Sequence, residues 1–272
     1  MAEEKKKKPL KKFDDLLDEA WKTYLEKFSL VVGVSGVPAA IGLLGSLIVG
    51  GAPFMGTLTT VFGVVGWVIV VTAVLAFLIM PPALVYALEK GVEVFDAYLY
   101  GIDMIQEYAW LVLLMALAVA GGLGIWIIPG IVCAIWISLA PYVFVAEGKR
   151  GLAALGRSRE LMNGYWLAAF VRFCALAILM GGATFAFWLL YLLARLIGAT
   201  APFLLFVKFL YPLLIVPYAV LFGYHLYKNV REVKGDELKG SAGFRALFAV
   251  VALAGLAVLT AFVWFAIRRF FG

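Results

Sequence analysis

Histidine, cysteine and charged residues are all scarce in this sequence. It has one histidine and two cysteines, and charged residues make up only 15% of the chain. A nucleophilic triad needs a base with an acid beside it, and His225 stands far from any acidic residue in an apolar run. Cys133 and Cys174 lack the spacing of a metal site and lie in apolar runs, which favours reduced packing residues. The sequence therefore predicts no metal, no cofactor and no enzymatic activity.

Acidic residues are missing from the long apolar runs. All 17 Asp and Glu residues fall in the N-terminal segment, in the later charged islands or at the edges of those islands. Proton-coupled carriers commonly use buried carboxylates as relays, and paired carboxylates hold metals or perform acid–base chemistry. These mechanisms are therefore disfavoured, and we expect no catalytic residue within the membrane.

Apolar residues, by contrast, dominate the chain. They make up 65% of it, with a mean hydropathy of +1.02, whereas soluble domains are roughly 45–50% apolar. A membrane about 30 Å thick needs about 20 apolar residues per helix. Runs of about that length lie between charged islands at 29–50, 57–88, 108–128, 131–145, 166–197, 202–227 and 244–267. The sequence predicts an all-α, polytopic membrane protein.

The basic residues indicate an orientation. Eight Lys and Arg residues precede the first run, and the islands after the second, fourth and sixth runs hold one, four and five, counting Arg245 at the edge of the last run. The positive-inside rule then places the N-terminus and these islands in the cytoplasm, and we expect the plasma membrane. Arg268 and Arg269 disagree with this pattern if the last run crosses. No apolar run follows the first lysines directly, so we expect no cleavable signal peptide.

The net charge of +6 has a simple explanation. The basic residues lie along the cytoplasmic rim with acidic residues interleaved, which favours attraction to anionic lipid headgroups over binding of nucleic acid. We expect stripes of small residues to pack against other helices of the same chain, with self-association as the second interpretation. Two such stripes are Gly42, Ser46 and Gly50, and Ala116, Ala120 and Gly124. We therefore expect membrane lipids as partners, with a homo-oligomer or a membrane protein partner as further options.

Three charged islands show the apolar spacing of amphipathic helices. They lie at 1–28, near 92–107 and near 149–163, each before a pair of apolar runs. The predicted organisation is a basic tail and interfacial helix (1–28), a transmembrane core of three hairpins (29–230), a cytoplasmic linker (231–243) and an additional, seventh transmembrane helix (244–272). Each hairpin of this six-helix core is preceded by an amphipathic cytoplasmic helix.

The faces of these helices can also be predicted. In the second island the apolar stripe is Val94, Phe95, Tyr98, Ile102 and Ile105. In the third, we expect Leu152, Leu155, Leu161 and Met162 to face the lipid or the bundle and Arg150, Arg157 and Glu160 to face water. The small residues of the third island, which include Ala154, Gly156 and Ser158, permit close approach and favour docking against the bundle.

The second and third islands also repeat each other. Five residue pairs match at an offset of 57 positions: Gly91 with Gly148, Ala97 with Ala154, Gly101 with Ser158, Met104 with Leu161, and Tyr108 with Tyr165. This pattern favours three related units, each an amphipathic helix and a transmembrane hairpin.

Residues 126–166, WIIPGIVCAIWISLAPYVFVAEGKRGLAALGRSRELMNGYW, carry a resemblance to a known family. The segment resembles the membrane domain of bacterial glycerophosphodiester phosphodiesterases and its stand-alone, uncharacterised polytopic relatives. The shared pattern falls on Pro129, Gly130, Ala140, Pro141, Tyr142, Glu147, Gly148, Ala154, Leu155, Ser158, Met162 and Gly164, with Met162 in place of a leucine. The likeness extends over about 13–227 and leaves out the last run.

The resemblance implies a fold and little chemistry. The phosphodiesterase catalytic domain is a separate barrel of roughly 250 residues, and no segment of this sequence could supply it. The family implies a six-helix membrane module connected with lipid metabolism or envelope upkeep, without phosphodiesterase activity. It gives no catalytic residues to transfer.

Polar residues inside the apolar runs are the remaining site candidates. Arg172 either snorkels toward inner headgroups or enters the bundle and binds a lipid phosphate or another anion. Lys208 can snorkel outward, and His225 lies among tyrosines of an interfacial belt. We take Arg172, Lys208 and His225 as the candidate ligand-binding residues.

Two functions remain open at this point. The leading hypothesis is a non-enzymatic membrane module that binds lipid or partner proteins. The alternative is a channel or carrier for an anionic or amphiphilic solute, which Arg172, Lys208 and helices interrupted by proline would favour. The prolines expected to interrupt helices are Pro38, Pro82, Pro141, Pro212 and Pro217.

Overall fold

The computed structural model describes residues 9–51, 59–198, 200–235 and 242–271, and these residues form helices without any strand. The helices are α1 (Phe13–Glu26), α2 (Phe28–Gly51), α3 (Thr59–Lys90), α4 (Val94–Asp103), α5 (Ile105–Ile125), α6 (Ile127–Ile137), α7 (Ala140–Ala146), α8 (Gly151–Met162), α9 (Trp166–Leu196), α10 (Thr200–Lys234) and α11 (Ala242–Phe271). The all-α prediction is confirmed for the described residues.

Among the residues that the structure describes, six stretches are long and apolar enough to cross a membrane. They are Phe28–Gly45, Val70–Lys90, Ile105–Gly124, Ile127–Ala146, Trp166–Leu196 and Phe209–Lys234. In α11, the apolar stretch within the described residues is shorter, Ala246–Ala261. The structure thus supports a multi-pass membrane protein.

Proline interrupts these helices less than expected. α2 continues through Pro38, α3 through Pro82, and α10 through both Pro212 and Pro217, so the expected interruptions at these four positions are wrong. One proline removes a single N–H donor from the ladder of a long helix, and the turns on either side keep their bonds. Of the five prolines, only Pro141 lies at a break, where α6 ends and α7 begins.

The chain divides into two compact units, each built from separate stretches of sequence. One contains Met1–Leu16, Gln106–Arg172 and Gly223–Gly272, and the other contains Leu17–Ile105 and Phe173–Phe222. We call them the α8 unit and the α4 unit after the amphipathic helix that each contains.

In the α4 unit, α4 packs on α3 and on α2 through small residues. Ala97 and Gly101 are buried, and a Cβ on Gly101 would press against the side chain of Ile79. The Tyr98 hydroxyl donates to the Val34 carbonyl, and burial raises the pKa of Tyr98 above its ordinary value. Of the predicted apolar stripe, Phe95 is 72% exposed and Ile102 is 52% exposed.

The second half of α1 belongs to the same unit and lies against α10. The Tyr24 hydroxyl donates to the Leu213 carbonyl at 3.2 Å, and the Tyr218 hydroxyl donates to the Leu17 carbonyl, also at 3.2 Å. Tyr24 is buried, whereas Trp21 on the neighbouring face is 53% exposed. The amphipathic helix predicted within 1–28 is thus docked by one edge and leaves large apolar side chains outside.

In the α8 unit, α5 and α11 cross closely. A Cβ on Gly121 would overlap the carbonyl oxygen of Val251, and a Cβ on Gly255 would overlap the carbonyl oxygen of Leu117. Small residues at such crossings let two helix backbones touch. The contact runs along Leu117, Gly121 and Gly124, whereas Ala116 of the predicted stripe is exposed.

The two amphipathic helices preserve the repeat that the sequence indicates. α4 begins at Val94 and α8 at Gly151, the same 57-position offset. The glycines that precede them, Gly91 and Gly148, have φ of +68° and +66°. Both conformations lie in the left-handed region that glycine adopts at little cost. Each unit therefore reverses the chain by the same kind of turn.

Candidate functional site

The apolar stretch Ile127–Ala146 is interrupted at Ser138 and Leu139, between α6 and α7. Pro141 has no N–H to donate to the Ile137 carbonyl, and two residues outside regular helix separate α6 from α7 at this place. Ser158 of α8 is fully buried beside the break. Its hydroxyl donates to the Trp136 carbonyl at 2.7 Å and accepts from the Leu139 N–H at 3.1 Å. One side chain thus satisfies two backbone groups at the break.

A buried ion pair fixes the turn between α7 and α8. Arg157 Nε donates to both oxygens of Glu147, at 2.8 Å and 3.2 Å. The Tyr227 hydroxyl donates to the same carboxylate at 3.2 Å, and Lys149 Nζ lies 3.3 Å from it. Arg157 Nη1 lies 4.0 Å from Glu160 Oε2. Three side chains therefore hold the Glu147 carboxylate, which suits a structural role better than acid–base chemistry.

The outward placement predicted for Arg157 and Glu160 is wrong. Arg157 is only 4% exposed, and Glu160 is also buried. The glycine turn at Gly148 brings Glu147 against α8, and a buried charge is tolerated when its partner is this close. Leu155, Leu161, Met162, Ala154, Gly156 and Ser158 are buried as well, which confirms that α8 docks.

An apolar groove lies between α5, α6 and α11. It has a volume of about 340 Å³, and its walls are Gly122, Ile128, Pro129, Val132, Cys133, Trp136, Leu247, Phe248 and Val251. This volume is at the lower end of the roughly 300–1,000 Å³ of small-molecule pockets. The Cys133 thiol and the Trp136 indole N–H are the only side-chain groups of these walls that could form hydrogen bonds.

Arg159 lies beside the Trp136 wall of the groove. Its guanidinium carbon is 4.2 Å from the centre of the Trp136 ring, a cation–π contact. Burial lowers the pKa of Arg159, but a guanidinium remains protonated in proteins at neutral pH. A fixed positive charge therefore lies next to an apolar wall.

The family-pattern residues lie in this same unit. Pro129 lines the groove, and Gly130 packs against the backbone of Leu123, where a Cβ would overlap the Leu123 side chain. The Tyr142 hydroxyl packs directly on the backbone at Gly223 of α10, and the Tyr142 ring stacks on Tyr227 at 6.1 Å. Gly164 follows α8 with φ of +82°.

Arg172 contacts the segment that precedes α1. Its Nε donates to the Lys11 carbonyl at 3.1 Å, its Nη1 to the Ala168 carbonyl at 2.8 Å, and its Nη2 to the Lys11 and Leu10 carbonyls. The Asn229 side chain accepts from the Lys11 N–H at 2.9 Å. The observed partners of Arg172 are thus backbone carbonyls, and its role in binding an anion stays a prediction.

Of the predicted ligand residues, Arg172 and His225 belong to the α8 unit and Lys208 belongs to the α4 unit. Lys208 is part of α10 in the α4 unit, and its side chain lies outside the described part of the structure. His225 is in the α8 unit, half-buried, with its ring 5.6 Å from that of Tyr224. Cys133 and Cys174 are free cysteines, as expected.

Comparisons with protein families, curated proteins and solved structures find no match to this chain. The likeness at residues 126–166 to the membrane domain of the phosphodiesterases therefore stays a prediction.

Sequence reasoning missed the Glu147–Arg157 pair and the position of Arg159. For the pair, the sequence shows only that Glu147 directly precedes the turn glycine Gly148, and it does not show that Arg157 faces it. For Arg159 the sequence offered only its place on α8, because the neighbouring Trp136 belongs to a separate apolar run.

Proposed function

We propose that this chain is a non-enzymatic, multi-pass membrane module that binds lipid. The proposed arrangement has three hairpins, each preceded by an amphipathic helix at the cytoplasmic face of the plasma membrane, and α11 as a seventh crossing. Its N-terminus is cytoplasmic, in keeping with the basic residues before α1.

The observation that carries the proposal is the outward display of large apolar side chains on the docked amphipathic helices. On α4, Phe95, Leu99 and Ile102 are exposed while charged Asp96 and Asp103 lie beside them. At one-turn spacing these three form a single stripe. Full transfer of each side chain from water to an apolar environment is favourable by up to about 1.5–3 kcal/mol. A lipid interface accepts both the stripe and the carboxylates.

α1 supports the same proposal independently. Trp21 and Leu25 of α1, and Phe28 at the start of α2, are all about half exposed, and tryptophan favours the headgroup level of membranes. Lys22 and Lys27 are exposed nearby and suit anionic headgroups. Two separate helices thus present an interfacial face.

The carrier hypothesis has less support. It relied on several helices interrupted by proline, and α2, α3 and α10 continue through theirs. The one break, at Pro141, is occupied by the Ser158 hydroxyl.

A nitroxide depth measurement tests the proposal. The full chain, with Cys133 and Cys174 changed to alanine, would carry a single label through Phe95→Cys or, as the matched control on the same helix, Asp103→Cys. In phospholipid vesicles we expect the label at 95 to relax mainly through dissolved oxygen and the label at 103 through a water-soluble nickel complex. Nickel-dominated relaxation at both positions would contradict lipid contact and favour a protein partner.

A flux assay distinguishes the lipid-binding module from the alternative, a channel or carrier. The same vesicles, loaded with chloride or phosphate, should release anion no faster than vesicles without protein. Faster release would favour the channel or carrier.

A further inference from the structure

We propose that the groove between α5, α6 and α11 holds one acyl chain of an anionic phospholipid, whose phosphate pairs with Arg159. This inference rests on the proposed lipid-binding function and assigns that function a site.

The shape of the groove suits an extended hydrocarbon chain. Its α6 wall runs from Ile128 to Trp136, which is about 12 Å of helix axis at 1.5 Å per residue. Leu247 and Val251, one turn apart on α11, form the facing wall. A narrow apolar groove in a membrane protein excludes water and headgroups, so an acyl chain is the occupant that fits its chemistry.

The positive charge beside the groove selects the headgroup. The Arg159 guanidinium stacks on Trp136, which itself lines the groove. Stacking occupies the flat face of the guanidinium, whereas its N–H groups lie in the plane of the group. A phosphate in that plane can form two parallel hydrogen bonds with these N–H groups, a bidentate contact. Because the group is partly removed from water, its attraction for a phosphate is stronger than that of an exposed arginine.

Neighbouring contacts hold Arg159 in position. Ser158 is fixed to the helix break and Arg157 to Glu147, so the α8 backbone on the near side of Arg159 is anchored. On the far side, Lys234 Nζ donates to the Glu160 carbonyl and adds a second cation. A preorganised cation loses less entropy when it binds.

Native mass spectrometry tests the proposal with the full chain in mild detergent. The protein would be offered phosphatidylglycerol or phosphatidylcholine of identical acyl chains. We expect one phosphatidylglycerol to be retained in preference to phosphatidylcholine. Arg159→Gln should weaken this retention roughly tenfold or more, as expected for loss of a charged hydrogen bond. The matched control is Arg195→Gln, an exposed arginine in the other unit, which should retain the lipid like the wild type.

A second pair of variants tests the groove itself. Val132→Phe would fill the groove and should lower retention of both lipids. Val112→Phe, on the exposed side of α5, should change nothing. In the unmodified protein, a phosphatidylglycerol with a photoreactive diazirine on its acyl chain should crosslink to the segment 128–136.

The results separate this inference from the general function. Equal retention of the two lipids, unchanged retention in Arg159→Gln, or crosslinks that miss all three walls of the groove (122, 128–136 and 247–251) would overturn the assigned site. If the nitroxide at position 95 still reports lipid, the proposed function survives that outcome. If the nitroxide at position 95 reports water, the depth measurement rejects the proposed lipid-binding function, whatever the mass spectra show.

Discussion

Ser158→Ala should destabilise the protein more than the loss of one serine hydroxyl ordinarily does. The hydroxyl is fully buried, donates to the Trp136 carbonyl at 2.7 Å and accepts from the Leu139 N–H at 3.1 Å. Alanine leaves both backbone groups without this partner. A buried group left unsatisfied costs about 1–3 kcal/mol, so two of them predict a loss of about 2–6 kcal/mol.

The neighbouring Ser138 supplies a matched control. Its hydroxyl donates to the Ile135 carbonyl, three residues earlier in the chain, at 2.8 Å, and local bonds of this type contribute little or slightly destabilise. Ser138→Ala should therefore change the free energy of unfolding by less than about 0.5 kcal/mol.

The assay is reversible unfolding of the detergent-solubilised protein by titration with sodium dodecyl sulfate, followed by far-ultraviolet circular dichroism. The difference in unfolding free energy between the two alanine variants is the quantity of interest. If Ser158→Ala falls within about 0.5 kcal/mol of Ser138→Ala, the hydroxyl does not bridge the break, and the account of Pro141 and α8 is wrong.

The same titration tests three further predictions. Arg157→Met removes the main ion-pair partner of the buried Glu147 carboxylate and should lower the free energy of unfolding by about 3–5 kcal/mol. Adding Glu147→Gln removes the unpaired charge and should recover part of that loss. Gly121→Leu should separate α5 from α11 and lower stability by about 2 kcal/mol or more, because the backbones touch at that glycine. Gly148→Ala and Gly91→Ala should each cost about 1–2 kcal/mol from left-handed strain alone, since both sites have open space around them.

Gly36→Ala serves as the control for the glycine substitutions. Gly36 lies inside α2 and no heavy atom lies within 4 Å of the place its Cβ would occupy. Alanine favours the helix by about 0.5–1 kcal/mol over glycine, so this variant should be as stable as the wild type or more stable. Losses of similar size at Gly36 and at Gly148 would show that left-handed strain is not the cause.

Long apolar runs made the helices predictable, and small residues made the docking of α8 predictable. The length of a run reflects the thickness of the membrane. The side chains of Ala154 and Ser158 are small, so α8 can approach a neighbouring helix closely. The 57-position repeat is likewise visible in the sequence, because the glycine turn and the start of the following helix occupy matching positions.

The sequence alone does not show which polar residues contact each other in the folded protein. The helical spacing of α8 placed Arg157 among the water-facing residues, since a charge on an amphipathic helix is normally solvated. Its burial depends on Glu147, which lies across a turn of the chain, and on Tyr227 of α10. Periodicity describes one helix at a time and carries no information on such partners.

The same limit applied to the helix breaks. Five prolines in apolar runs look alike in the sequence, yet only Pro141 stands at a break. The difference lies in the neighbouring chain, because at Pro141 a hydroxyl from α8 offers the freed backbone groups a partner. At the matching place in the α4 unit, Gly101 has no side chain to offer, and α3 continues past Pro81 and Pro82.

The contacts of Arg172 have a consequence for biosynthesis. They join α9 to the carbonyls of Leu10 and Lys11, across 161 to 162 positions of sequence. A ribosome adding roughly 5–20 residues per second needs on the order of ten seconds to cover that distance. During that time the carbonyls of the basic N-terminal segment have only water or other transient partners. The carbonyls of Leu10 and Lys11 therefore leave the ribosome well before α9 and reach their final partner only after α9 has been made.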